Sequence, residues 1–134
     1  MTADEAQELL RANFAPWVQA LNLAVERVDA SEAVLRMPFD DRLVRVGGTI
    51  CGQALMSAAD TAMVIAFSAA LGGFRPMTTV AQTITFMRPI SNGDVLVTAR
   101  VIRTGKSLAF GEVSMAARGS PIAAHATTTY ALLS

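Results

Sequence analysis

Asp60 is the residue whose setting most needs a chemical explanation. It is the only charged residue between Arg45 and Arg75, near the middle of an apolar run, with Met56, Ser57, Met63 and Val64 one helical turn away. An unpaired carboxylate in such a place costs several kcal/mol, so something must compensate for it. Either it is a helix-surface residue bonded to Ser57 or to a neighbouring strand, or it faces an internal cleft as a general base or nucleophile. Other reactive types are sparse. His125 is the sole histidine and Cys51 the sole cysteine, so neither a metal site nor a Cys–His pair is expected, and no cofactor is implied. Cys51 is expected to be a small packing residue and His125 a structural or surface residue. Arg103, Gly105 and Lys106 form a basic turn, and Arg88 lies just before a proline; such cations suit a phosphate-rich ligand. Gly47-Gly48 reads as a turn rather than a phosphate loop, because no Lys-Ser/Thr pair follows it.

The elements that would position these residues are legible from periodicity. Ala6, Leu9, Leu10 and Phe14 have helical spacing, with Thr2 as a cap and Pro16 marking the end or a following turn. Alternation between Leu21 and Met37, interrupted at Asp29-Ala30-Ser31, predicts two short strands joined by a turn. From about Cys51 to Leu71 the Ala, Leu, Met and Gln content favours a long helix, stopped by Gly72-Gly73. This helix is apolar all round, so other structure must wrap it, and its stretch beyond Asp60 is too short to cross a bilayer. Four alternating segments follow: Thr78 to Arg88, Asp94 to Arg103, Ser107 to Ala117 and Ile122 to Leu133. They are separated by Gly- and Pro-containing turns and read as an antiparallel meander.

Composition bounds the rest. The 134 residues make one domain the expected count, spanning 1–134. Hydrophobic residues make up 52% and charged residues 16%, more apolar material than a small solitary domain hides, so a dimer or larger homo-oligomer is expected. Eleven basic residues balance eleven acidic ones, which argues against a nucleic-acid partner. Asp4, Glu5 and Glu8 stand where a secretory signal would be basic and then apolar, so the expected compartment is the cytoplasm, with no membrane partner.

The run Cys51-Gly52-Gln53-Ala54-Leu55-Met56-Ser57-Ala58-Ala59-Asp60-Thr61-Ala62 resembles the helix-start motif of the PaaI-like branch of hotdog thioesterases. There His-Gly-Gly opens the helix and Asp-x-Ala follows in its middle; Gly52 and Asp60 match that spacing. Thr79 to Pro89, followed by Gly93-Asp94, resembles the family's first long strand and the turn after it. Two departures stand out: the usual His is Cys51 and the second Gly is Gln53. The resemblance implies an α+β hotdog fold, a long central helix wrapped by a curved antiparallel sheet, and hydrolysis of an acyl- or aryl-acyl-CoA thioester. It also implies a homodimer or dimer of dimers with the site at the interface. In that picture Asp60 is the base or nucleophile, and backbone N–H groups around Gly52 polarise the carbonyl. Thr79 would hold the water from the neighbouring subunit, Cys51 and Gln53 would adjoin the substrate, and Arg103, Gly105, Lys106 and Arg88 would lie near the phosphates. The departures at Cys51 and Gln53 leave a non-catalytic acyl-CoA-binding protein as the alternative.

Overall fold

The computed structural model describes residues 1–133. The chain opens with α1 (Ala3–Asn13), begun by a Thr2–Glu5 capping box, and after it α2 (Pro16–Gln19), a single turn that Pro16 opens. β1 (Ala24–Val28) and β2 (Glu32–Met37) form the expected hairpin. A single 3-10 turn, Asp41–Leu43, then leads to a small hairpin absent from the sequence reading, β3 (Val44–Arg45) and β4 (Thr49–Ile50). Its turn is Gly47-Gly48, at φ of 103° and 79°, a region that only glycine enters freely. The long helix α3 (Gly52–Ala70) follows, then β5 (Met77–Phe86), β6 (Val95–Thr104), β7 (Leu108–Ala117) and β8 (Ala124–Leu132).

Six strands form one antiparallel sheet in the order β1-β2-β6-β7-β8-β5. The expected meander therefore holds for β6, β7 and β8 but not for β5, which pairs with β8 and forms an edge. The segment between β5 and β6 carries the chain across the sheet to β2. Asp94 fastens its far end, accepting from the Phe39 backbone N–H at 2.8 Å and pairing with Arg36 at 3.2 Å.

The sheet curls around α3, whose Leu55, Met63, Ile65 and Phe67 are buried with Leu35, Val97, Val113 and Met115 in one continuous core. Gly111 on β7 permits the closest approach: a Cβ there would stand 2.4 Å from Met63 Cε and 2.7 Å from its sulfur. By length and composition α3 could cross a membrane, but most of its surface is covered by the sheet, as the sequence implied for a core helix. The wrapping is incomplete along one stripe. Gln53, Met56, Ser57, Asp60 and Val64, at spacings of three and four, are exposed or only half-buried. That stripe runs beside the edge strand β5.

Candidate active site

β5 lies along α3 and meets it at successive turns. Phe86 packs over Gly52, Gln82 Nε2 donates to the Met56 carbonyl at 3.2 Å, and Thr79 Oγ1 donates to Asp60 Oδ1 at 2.7 Å. Alternation sets Gln82, Ile84 and Phe86 toward the helix, and the bulge between Thr79 and Ala81 shifts the phase so that Thr79 also faces it while Val80 is exposed. Thr79 thus reaches Asp60 from the same chain, not from a neighbouring subunit as the resemblance implied. The bond is intrachain because β5 itself forms the rim of the open stripe.

Tyr130, unforeseen from sequence, is the second donor to Asp60. It pairs across the sheet with Thr79, so both side chains emerge on the helix side. Its hydroxyl reaches Asp60 Oδ1 and lies 2.8 Å from the Asp60 backbone carbonyl. The ring is 1% exposed and packs edge-on against Phe67, with centroids 5.2 Å apart. Burial, reinforced by the negative charge of Asp60, pushes the phenol pKa above its ordinary value. Tyr130 is therefore a fixed proton donor at neutral pH. Ser57, the other candidate partner for Asp60, instead donates to the Gln53 carbonyl at 3.0 Å.

Both donors converge on Oδ1, and among the described residues none donates to Oδ2. Oδ2 is the oxygen left free to take a proton or attack. Asp60 opens on a shallow depression lined by Met56, Ser57, Thr79 and Gln82. The Gln82 Oε1 atom is buried and without a hydrogen-bond partner among the described residues, an acceptor that awaits a donor.

Gly52 lies at the other end of the stripe. A Cβ there would meet Phe86 Cζ at 3.0 Å, so the glycine brings the ring close to the helix start. Cys51, the N-cap, makes no side-chain cap bond, and its backbone N–H donates to the Leu43 carbonyl. A cavity of about 550 Å³ opens here, walled by Ile50, Leu55, Phe86 and Ile90 and carrying Arg45 and Arg88. Arg88 is thereby brought to Gly52. Cys51 and Gln53 are not: they line a separate depression of about 210 Å³ with Trp17, Asp40 and Arg42. The Arg103–Lys106 turn reaches neither place within one chain, although Thr104 lies in the same cross-strand row as Ala109, Tyr130 and Thr79. Three strand spacings put that row's far end about 14 Å from Thr79. His125 sits in β8, 4.0 Å from Glu112, away from Asp60.

A sequence model described as the thioesterase superfamily matches residues 47–124, from the glycine turn through α3 to the start of β8. The chain belongs to that superfamily. A protein of Thermoplasma volcanium named as an esterase is 31% identical over 105 residues, covering 72% of each chain. Among solved structures, zebrafish thioesterase superfamily member 2 superposes with a TM-score of 0.88 at 24% identity, covering 99% of both chains. The Escherichia coli PaaI protein of the phenylacetic acid degradation operon does so at 0.84 and 20% identity, covering 100% of this chain and 97% of that one. At those identities the structures establish the hotdog fold, which the resemblance implied. Membership of the superfamily assigns the coarse activity, thioester hydrolysis.

Proposed function

We propose that this thioesterase-superfamily protein hydrolyses acyl-CoA thioesters, with Asp60 as general base, in a site completed by a second copy of the chain. The observation that carries the first part is the Asp60 carboxylate itself, held through one oxygen by Thr79 and Tyr130 and open at the other. A water bound there would give one proton to Oδ2. Its oxygen attacks the thioester carbon as that proton leaves, and the oxyanion requires N–H donors close to it. Collapse of the oxyanion breaks the C–S bond and expels the coenzyme A thiolate, which takes up the proton from Oδ2.

The α3 start at Gly52 offers such donors but lies eight residues from Asp60 on one helix. At 1.5 Å per residue that separation is about 12 Å, too far for one carbonyl to meet both. A second copy alongside the open stripe would bring one chain's Gly52 to the other's Asp60. The surface fits that role: β5 is an edge strand, and Met56, Val80, Phe86 and Met87 are exposed beside it. The basic turn at Arg103 and Lys106 suits the phosphates of coenzyme A, at a distance its long pantetheine arm can span. A soluble, cytoplasmic enzyme without a cofactor fits this reading.

The test is thiol release from short, medium, long-chain and phenylacetyl CoA esters by wild type and Asp60→Asn, with size-exclusion chromatography of both. Turnover of one or more esters by an oligomeric wild type, lost in a folded variant, is the expected result. Turnover that survives the substitution, or an active monomer, would overturn the assignment of Asp60 or of the shared site. An inert wild type that still binds acyl-CoA would make the chain a binding protein.

A further inference from the structure

The cavity at the α3 start carries a charge pattern that the hydrolysis of a simple acyl group does not need. Arg45 and Arg88 both line it, both are exposed, and no acidic side chain lines it. Elsewhere Arg11, Arg27, Arg36, Arg42, Arg100 and Arg118 pair with carboxylates, and of the other arginines among the described residues only Arg75 and Arg103, both outside the cavity, do not. Arg45 and Arg88 have no carboxylate partner among the described residues; Arg45 donates only to the neighbouring Val46 carbonyl, at 2.6 Å. Apart from Thr49 the remaining walls are apolar, Ile50, Leu55, Phe86 and Ile90 among them. Two free guanidinium groups on the rim of an apolar cleft suit a ligand with a short hydrocarbon portion and an anionic end.

Resting on the thioesterase reading, we infer that this cleft selects an acyl group bearing its own carboxylate, the half-ester of a short dicarboxylic acid with coenzyme A. The scale of the site decides which anion of the substrate belongs there. A cavity of about 550 Å³ is about 10 Å across if compact, and Gly52, the donor to the thioester carbonyl, lines it. An anion held by these arginines therefore lies within one cavity width of the reacting carbonyl. The two amide units and flanking carbons of the pantetheine arm extend on the order of 15 Å, which places the phosphates of coenzyme A beyond it. Arg45 sets the pattern because it sits beside the Gly47-Gly48 turn, with Nη1 3.1 Å from where a Cβ on Gly47 would be. A glycine there leaves the guanidinium room to lie over the turn and face the cleft.

The experiment compares kcat/KM for glutaryl-CoA and pentanoyl-CoA, which differ by a terminal carboxylate, in wild type, Arg45→Gln and Arg88→Gln. The expected result is at least a ten-fold preference for glutaryl-CoA, carried in KM. Each variant lowers the glutaryl-to-pentanoyl ratio about ten-fold, as loss of one charged hydrogen bond requires. A wild type that favours pentanoyl-CoA, or variants that weaken both esters equally, would overturn the inference. In the second case, a variant defect that disappears with the 3′-dephospho-CoA esters would assign the arginines to the coenzyme's phosphate. Calorimetric binding of both esters to Asp60→Asn separates the two proposals. Tighter binding of glutaryl-CoA by the variant, beside a wild type that itself hydrolyses neither ester, would sink the hydrolase reading and sustain the cleft, and equal affinity would sink the cleft.

Discussion

Two turns of the same helix, both facing β5, are built in opposite ways. Around Asp60 the donors are in place before any ligand arrives: Thr79 Oγ1 lies at 2.7 Å and the Tyr130 ring is 1% exposed and wedged against Phe67. Around Gly52 nothing is fixed by a side-chain bond. The N-cap residue makes no side-chain cap bond, Phe86 is 48% exposed, and among the described residues the two arginines have no carboxylate partner. The difference separates a part of the site that must hold one geometry from a part that must admit different acyl groups. Substitutions in the first should cost rate and stability together; those in the second should change substrate use with little effect on folding.

Asp60→Asn gives the largest expected effect. The amide cannot take a proton, so kcat should fall by about 10²- to 10⁴-fold in thiol-release assays, while thermal melting still shows a folded protein. Retained activity would dissolve the contrast by making the prebuilt turn purely structural.

Tyr130→Phe keeps the ring and removes the donor to both the Asp60 carboxylate and its carbonyl. Stability should drop by about 0.5–1.5 kcal/mol in urea unfolding, the net worth of one hydrogen bond, because Thr79 still donates to the carboxylate. The same change should lower kcat by roughly ten-fold, and added to Asp60→Asn it should lower the rate no further, since both act through one carboxylate. A full additional loss in the double variant would show that Tyr130 acts by another route.

Gly52→Ala tests the open end. The new methyl meets Phe86 Cζ at 3.0 Å, but that ring is half in solvent and can swing aside. Unfolding free energy should change by less than about 0.5 kcal/mol, while kcat/KM falls several-fold because the methyl stands in the cleft. A large loss of stability would mean that Phe86 is as tightly held as Tyr130.

The smallest effect concerns a carboxylate remote from both turns. Asp94 is held below its ordinary value of 3.8, first by the Phe39 backbone N–H and then by Arg36. A lowered folded-state pKa gives stability that is present above the unfolded value and lost as pH falls through the folded one. Wild type should therefore be more stable than Asp94→Ala at pH 7, with the difference shrinking below about pH 4 in urea midpoints, and with no change in substrate preference.

The sequence made the frame and half of the site readable. An apolar helix with a lone charge, followed by alternating segments, leaves few arrangements that bury both, and the match of Gly52 and Asp60 to a known motif spacing narrowed them further. The pairing of β5 with β8 was not readable, because alternation states which face a residue takes but not which distant strand lies beside it. Tyr130 was hidden for the same reason, 70 residues from its acceptor. One signal was available: in β8 it occupies the same face as Ala124, Ala126 and Thr128, all buried, and a buried phenol must find an acceptor. The β3–β4 hairpin escaped because two-residue strands carry no period.

The position of β5 at the sheet edge also sets the order in which the molecule can become competent. Among the described residues its only neighbour in the sheet is β8, which carries Tyr130 as well. As the chain leaves the ribosome, α3 and Asp60 emerge early and the edge strand soon after. Neither donor can be seated on the carboxylate until β8 arrives and takes its place between β7 and β5. The nascent polypeptide thus lacks a braced Asp60 until β8 has been made.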